Sequence, residues 1–193
     1  MPRTKEYVRE DVVDAATKVF WAKGFKGASV RDLVNATGLN KHSMYQEFGS
    51  KEGLFQECIE NFAQKTNKEP NLILRHEPLG ISNIEMFFQN RIDYAASSSC
   101  LGCFLVNTTV EKELIDAGAF AKTQDYLALL EENLLKCLVA GQKAGDVDQG
   151  KDCRVLANYL MNVIVGMMVL SKSSPSRETL ESMVEVALSA IKT

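Results

Sequence analysis

Apolar residues recur every three or four positions along most of this chain, which is the spacing of one face of an α-helix. The first such stripe predicts a helix over about 7–23, ended by Gly24, and it consists of Val8, Val12, Ala15, Ala16, Val19 and Phe20. The same spacing predicts later helices from 51 onward and at about 81–97, 101–112, 118–141, 151–172 and 176–192. Strand-like alternation is absent, so the sequence predicts an all-α fold.

Two short helices joined by a tight turn are predicted within 29–48. Ser29 can cap the first of them, and Asp32 stands three residues later, where a capping box places its acidic partner. Gly38 can adopt the left-handed conformation that ends a helix, and Asn40 can cap the second helix over 41–48. This pattern predicts a helical hairpin.

The second helix of the hairpin has one apolar side and one side rich in hydrogen-bonding groups. Met44 and Phe48 are four residues apart and therefore face inward together. The outward set is Lys41, His42, Ser43, Tyr45 and Gln46. A lysine suits phosphate or guanine and a glutamine suits adenine, so this side fits the major groove of DNA. Lys51, in the first turn after a capping Ser50, adds a phosphate contact. The alternative is a polar hairpin that faces solvent.

The N-terminal quarter of the chain resembles the DNA-binding domain of the TetR family of bacterial transcriptional regulators. The residues that carry the resemblance are Ala15-Ala16, Phe20, Gly24-Phe25, Val30-Arg31-Asp32-Leu33, Gly38-Leu39, Ser43-Met44-Tyr45, Phe48 and Ser50-Lys51-Glu52-Gly53-Leu54. One departure is Ser29, where the family more often has threonine, and it keeps the hydroxyl group. The resemblance is specific as an ensemble, although no single element of it is.

The resemblance implies an N-terminal three-helix helix-turn-helix DNA-binding domain over 1–51 and a C-terminal helical ligand-binding and dimerisation domain over 52–193. It implies a regulator, usually a repressor, that binds a palindromic double-stranded DNA operator as a homodimer and is released by a small-molecule effector. The DNA-contacting positions it implies are Arg31, Lys41, His42, Ser43, Tyr45, Gln46 and Lys51. Tyr45 and Lys51 fall on phosphate-contacting positions, and Arg31 on a position that in some members reaches a base.

The charge distribution agrees with a DNA-binding end. The chain as a whole carries a net charge of −3. Residues 1–51 hold nine Lys or Arg against six Asp or Glu, a balance of +3, so the remaining residues carry −6. A basic end on an acidic body suits a protein that places one end against a polyanion.

Two C-terminal helices are candidates for a dimer interface. The helix near 151–172 carries apolar residues around nearly its whole circumference, which requires burial on nearly every side. Together with the helix near 176–192 it predicts a four-helix interface between two copies of the chain, as the resemblance also implies. The alternative is that the longer helix is the central core helix of a monomer.

Cys100 and Cys103 form a CxxC pair at the start of the helix predicted over 101–112. Helix N-termini lower thiol pKa values, so a redox- or electrophile-sensing regulator is the alternative function. A structural role is also open, because Gly102-Cys103-Phe104-Leu105-Val106-Asn107-Thr108 resembles a string found in one subset of TetR-like body domains. No second CxxC or histidine pair accompanies it, so we expect no metal and no cofactor.

An effector pocket would lie between helices of the body and be lined by aromatic and a few polar side chains. Residues of this kind on the predicted helices are Phe62, Phe87, Phe88, Tyr94, Phe104, Asn107, Phe120, Tyr126 and Met161. Each can equally belong to the core. The sequence does not indicate the identity of the effector.

Other classes of function find little support. No catalytic constellation or phosphate-binding loop is recognisable, so we expect no enzymatic activity. A helical small-molecule carrier would explain the body and leave the N-terminal hairpin unexplained. No signal peptide is present, and the longest apolar stretch, 155–170, is shorter than the roughly 20 residues of a membrane span. We therefore expect a cytoplasmic protein with no membrane partner.

Overall fold

The computed structural model describes residues 7–97 and 100–193, and these residues form α-helices joined by turns. The α-helices are α1 Arg9–Gly27, α2 Val30–Thr37, α3 Lys41–Phe48, α4 Lys51–Lys68, α5 Ile81–Ala95, α6 Phe104–Thr109, α7 Ala117–Ala144, α8 Cys153–Leu170 and α9 Arg177–Ser189. Short 3₁₀ turns occupy Asn71–Arg75, Lys112–Leu114 and Ser171–Ser173. The predicted all-α fold is confirmed. Arg3, Lys5 and Glu6, which count in the charge balance, lie outside the described residues.

Helix α6 differs most from its prediction. The sequence pattern predicts a helix over about 101–112, but α6 begins at Phe104 and ends at Thr109. Gly102 has φ 76°, a left-handed conformation that cannot continue into a right-handed helix. Cys100 and Cys103 therefore precede the helix, and the predicted start of the helix at about residue 101 is wrong.

By its internal packing the chain groups into two compact units. The first unit comprises the described residues up to Gln64 together with Asn107–Gln124, and the second comprises Lys65–Val106 and Asp125–Thr193. The chain passes from one unit to the other within α4, α6 and α7. The predicted domain division after residue 51 stays a prediction.

An aromatic cluster holds the first unit together. The ring centroid of Phe55 lies 4.9 Å from those of both Phe20 and Phe25. All three rings are buried, and so are Leu33 and Leu54. Large aromatic side chains bury more apolar surface than other residues, so three rings in contact between α1 and α4 are a major part of this core. The cluster therefore fixes α1 against α4.

Residues 107–124 belong to the first unit through specific hydrogen bonds. The backbone N–H of Phe25 donates to Oε2 of Glu111 at 2.8 Å, next to the kink at Gly24. Nε2 of Gln56 donates to Oδ1 of Asp116 at 2.7 Å. The Glu111 bond satisfies a backbone donor that the break in α1 leaves without a helical partner. A segment more than eighty residues away in sequence thus completes the first unit.

The second unit has a continuous apolar core. Its fully buried side chains include Ile84, Phe87, Phe88, Leu134, Leu138, Ala157, Leu160, Met167, Leu180 and Ile191, contributed by α5, α7, α8, α9 and the C-terminal turn. On α8, Met167 lies in this core. Val155 and Tyr159 remain exposed on the opposite side of α8.

Helix α8 and the turn after it are also long enough to cross a membrane. The segment Cys153–Ser173 is 21 residues long with a mean hydropathy of 1.6 over its most apolar part, so the length argument drawn from 155–170 fails. Core helices of globular proteins meet the same criterion. Seven residues of α8 are buried in the second unit, which identifies it as a core helix.

Gly53 allows the close approach of α4 to the end of α3, and this gives a stability prediction. A Cβ on Gly53 would lie 2.2 Å from the backbone oxygen of Phe48. We expect Gly53→Ala to destabilise the protein by about 1–3 kcal/mol, because a backbone clash outweighs the gain in helix propensity. The measurement is the urea unfolding midpoint followed by circular dichroism.

Gly27→Ala is the matched control, because a Cβ there meets only Lys23 Cβ at an ordinary 3.6 Å. It should leave the midpoint unchanged or raise it slightly. A Gly53→Ala protein as stable as wild type would contradict the proposed packing of α4 on α3.

Candidate nucleic-acid interface

Helix α2 begins with a complete capping box. The backbone N–H of Asp32 donates to Oγ of Ser29 at 3.1 Å, and the backbone N–H of Ser29 donates to Oδ2 of Asp32 at 3.0 Å. The Lys23 ammonium lies 2.6 Å from Oδ1 of Asp32, and these hydrogen bonds hold the pKa of that carboxyl well below its usual range. Ser29 and Asp32 therefore each satisfy the backbone N–H of the other at the start of α2.

The turn and the start of α3 follow the predicted chemistry. Gly38 ends α2 with φ 70°, and its N–H donates to the backbone oxygen of Val34 at 3.1 Å. Oδ1 of Asn40 accepts from the backbone N–H of Ser43 at 2.8 Å and so caps α3. These two local devices fix the chain reversal between the helices.

Helix α3 buries one side and exposes the other. Met44 and Phe48 are buried, so the side that carries Lys41, His42 and Gln46 is exposed. Ser43 and Tyr45 are partly buried, and the Lys41 ammonium lies 5.8 Å from the Tyr45 ring centroid. The structure thus brings five predicted site residues together on one short helix, three of them exposed and two partly buried.

The one acidic residue of α3 is neutralised by partners that the sequence pattern does not reveal. Nε of Arg9 donates to Oε1 of Glu47 at 3.2 Å, and the hydroxyl of Tyr7 donates to Oε2 at 3.1 Å. Arg9 also bonds to Glu57 at 2.9 Å, and its guanidinium lies 5.0 Å from the Phe48 ring centroid. Because Glu47 is paired in this way, its charge opposes an approaching polyanion less strongly. Arg9 is therefore a positioning residue of the interface.

Lys51 and Arg31 flank α3 on either side in the sequence. Lys51 is the first residue of α4, and its ammonium lies 4.4 Å from the Phe25 ring centroid. Partial burial lowers the pKa of Lys51. The hydroxyl of Ser50 accepts from the backbone N–H of Gly53 at 3.1 Å, which caps α4. Arg31 is exposed on α2 and forms no ion pair within the described part of the chain.

Two capped helices in tandem, the second with an exposed polar side and a compensated acid, define a helix-turn-helix DNA-binding regulator. A family model described as bacterial regulatory proteins of the tetR family matches residues 12–58, and one described as a tetracyclin repressor-like C-terminal domain matches 80–187. The chain belongs to the TetR family of bacterial regulators. The resemblance seen in the sequence is confirmed.

Individual relatives cover nearly the whole chain. The transcriptional repressor ComR of Escherichia coli is 29% identical over 183 residues, which span 92% of this chain and 86% of ComR. The structure of the regulator CifR bound to a 26-base-pair operator duplex superposes with a TM-score of 0.82 at 26% identity, covering 97% of this chain and 99% of CifR. The reduced form of Escherichia coli NemR has the same fold, with a TM-score of 0.85 at 19% identity over 96% of this chain and 97% of NemR.

The cysteine pair lies in the second unit beside Tyr94. Sγ of Cys100 accepts from the backbone N–H of Gly102 at 3.4 Å. Burial raises the pKa of the Cys103 thiol, although backbone N–H groups at the start of α6 and the Arg91 guanidinium lower it. Burial also raises the pKa of Cys58 to about 12 and that of Cys137 to about 11. At Cys103 the loss of solvation raises the thiol pKa more than the N-terminus of α6 lowers it.

The nine residues predicted for an effector pocket are divided between the units. Phe62, Asn107 and Phe120 lie in the first unit, and the others lie in the second. Phe87, Phe88 and Phe104 are fully buried among core side chains. Tyr94 lines an open cavity of about 770 Å³ in the second unit. The hydroxyl of Tyr126 is held by Asn71, and burial raises the pKa of Tyr126 to about 12. The assignment of all nine to one pocket stays a prediction.

Raised thiol pKa values give a testable order of reactivity. At pH 7.5 we expect Cys58, Cys103 and Cys137 to react with iodoacetamide more slowly than free cysteine, and Cys58 to react slowest, because the thiolate is the nucleophile. Peptide mass mapping at successive times measures each rate, and unfolding in urea should equalise them. Cys103 labelling faster than free cysteine would contradict this and favour the sensing alternative.

Proposed function

We propose that this protein is a repressor that binds a palindromic operator as a homodimer and releases it when a small molecule binds to the body. The observation that carries the proposal is the exposed polar side of α3, with Lys41, His42 and Gln46 toward solvent and Glu47 compensated. A helix of this kind has the size and donor groups needed in the major groove. The DNA complex of CifR supports the same mode of binding. A DNA partner implies a cytoplasmic protein.

The side chains divide by role. Lys41, His42, Ser43 and Gln46 would meet base edges from the first turns of α3, together with Arg31 from α2. Tyr45 and Lys51 would contact phosphates. For Lys51 the stacking on Phe25 holds the ammonium in one place, so the contact would require little ordering. Phosphate contacts set register, and base contacts set preference.

A two-fold partner is proposed through α8 and α9. On one side of α8 Val155, Tyr159 and Val169 are exposed and Gly166 is half-buried, and a Cβ on Gly166 would meet nothing within 4 Å. On α9 Val186 is 65% exposed. An apolar stripe with a small residue in its middle lets a second helix approach closely. Two α3 helices held by such an interface would enter major grooves about 34 Å apart, one helical turn of DNA.

Release by an effector would use the connections inside helices. The chain passes between the units within α4, α6 and α7. Because helical backbone at these points is hydrogen-bonded throughout, a displacement of one end of such a helix moves the other end as well. We propose that a ligand in the second unit acts through this continuity, including a tilt of α4 that alters the spacing of the two α3 helices. Ligand and operator affinities would then be reciprocally coupled.

Charge and readout can be separated by two substitutions, tested on an operator selected from a random duplex pool. Lys51→Met keeps the stem over Phe25 but removes the charge, so affinity should fall on all duplexes and the salt slope should decrease by about one unit. Gln46→Ala should cost about 1–3 kcal/mol at a particular base pair and little on random DNA. Fluorescence anisotropy at several salt concentrations measures both.

Lys143→Met serves as the control, because Lys143 is exposed near the end of α7 in the second unit. Its salt slope should match that of wild type. An equal loss on operator and random DNA for Gln46→Ala, or an unchanged slope for Lys51→Met, would overturn the corresponding role.

The dimer prediction uses two exposed valines. Val186→Glu on α9 should convert the dimer to a folded monomer and weaken operator binding by at least about tenfold, because it places an unpaired charge in an apolar contact. Light scattering after size exclusion gives the mass. Val110→Glu, at a residue that is 80% exposed in the first unit, should stay dimeric. A Val186→Glu dimer that is as stable as wild type would place the interface elsewhere.

A further inference from the structure

An open cavity of about 770 Å³ lies within the second unit, between the 3₁₀ turn Asn71–Arg75 and α5. Its walls include Ile73 and the large apolar side chains of Leu72 and Met86, which are 50% and 52% exposed. Its volume is within the range of about 300–1,000 Å³ typical of small-molecule sites. The exposed side chains of Leu72 and Met86 form an apolar surface that an apolar ligand can cover.

Of the described residues that line this cavity, Arg91 is the one arginine or lysine. It forms no ion pair within the described residues, and its Nε atom is buried without a hydrogen-bond partner. Among the residues that the structure describes, its side chain donates one hydrogen bond, from Nη2 to Oδ1 of the adjacent Asn90. An arginine has five N–H donors, so most of this capacity is unused. A buried, unpartnered donor on a charged group is costly unless another group binds it.

The surroundings of Arg91 hold its guanidinium in place without neutralising it. The guanidinium carbon lies 5.3 Å from the Phe87 ring centroid and 5.9 Å from that of Tyr94. Burial lowers the pKa of Arg91, and the groups that raise it include the thiol of Cys103 and the hydroxyls of Tyr94 and Tyr126. Burial raises the pKa values of those three groups, so they are uncharged at neutral pH.

Two carboxylates also line the cavity, and their positions leave Arg91 unopposed at short range. Asp93 is bound by the Arg177 guanidinium at 2.7 Å, so its charge is compensated. Glu69 is exposed, where water screens it. Neither of them lies within ion-pair distance of Arg91 among the described residues. The cavity therefore combines apolar walls with one fixed, uncompensated cation.

We propose that this cavity binds a small molecule with an apolar body and a single oxyanion, which Arg91 holds through its free N–H groups. The guanidinium fork matches carboxylate, sulfonate or phosphate oxygens, and the aromatic stacking pre-orients it. Leu72 and Met86 cover the apolar body. This proposal names the class of the effector and relies on the proposed function only for the claim that the ligand regulates DNA binding.

The test compares two fluorescent probes that differ in one group. Anilinonaphthalene sulfonate carries the oxyanion, and phenylnaphthylamine is the neutral counterpart. We expect Arg91→Met to weaken the anionic probe by about tenfold or more, as loss of a charge-assisted hydrogen bond requires, and to leave the neutral probe within about twofold. Octanoate should displace the anionic probe in wild type, and octanol should do so far less. Equal effects on the two probes, or none, would overturn the proposal.

A second pair of variants avoids any dependence on the folding of Arg91→Met. Met86 is exposed, so Met86→Glu and Met86→Lys should both fold. The first should weaken the anionic probe and the second should strengthen it, whereas Leu129→Glu on α7, also exposed and outside the cavity lining, should change neither. Identical affinities for Met86→Glu and Met86→Lys would place the anion elsewhere.

Operator affinity measured with and without octanoate separates the two proposals. Reduced operator affinity in wild type and not in Arg91→Met supports both the site and its regulatory role. Arg91-dependent probe binding with unchanged operator affinity would keep the anion site and overturn its role as the effector site. Failure of wild type to bind any duplex would overturn the proposed function, and the probe affinities would still test whether the cavity binds an anion.

Discussion

The burial of Met44 and Phe48 determines which way α3 faces, and the DNA-binding surface depends on that orientation. An eight-residue helix is too short to be stable alone in water. It exists because two side chains on one side pack into the first unit and because Asn40 satisfies a backbone donor at its start. Once those contacts are made, Lys41, His42 and Gln46 have only solvent, or a ligand, to face.

The first unit also depends on residues that are distant in sequence. Glu111 and Asp116 bond to α1 and α4 respectively. These bonds make residues 107–124 a structural part of the first unit, although in sequence those residues follow a long stretch of the second unit. The chain crosses between the two units within α4, α6 and α7, so the first unit is not one contiguous stretch of sequence.

Local chemistry made much of the fold predictable. The capping box at Ser29, the left-handed Gly38 and the cap at Asn40 each involve residues three or four apart, and the structure has them where the pattern predicts them. The all-α fold and the family that the sequence predicts are also confirmed. The apolar pattern does not predict the late start of α6, because it continues through Gly102 and periodicity carries no information on a positive φ.

Interactions across long sequence separations were not predictable in this way. The compensation of Glu47 by Arg9 joins residues 38 apart. The lone guanidinium of Arg91 is apparent only when its neighbours in space are known, because in the sequence it stands between Asn90 and Ile92 like any polar residue of an amphipathic helix. Most of the candidate pocket residues are aromatic, and aromatic residues are also what a helical core requires.

The close fit of Gly24 and Glu111 has an evolutionary consequence. A Cβ at position 24 would lie 2.2 Å from the Glu111 carboxylate, which accepts the backbone N–H of Phe25 at 2.8 Å. Any side chain at one position therefore competes with the carboxylate from the other for the same volume. Because Gly24 also has φ 71°, a larger residue there is strained whatever space position 111 leaves, so homologous chains should retain glycine at 24 together with the carboxylate at 111.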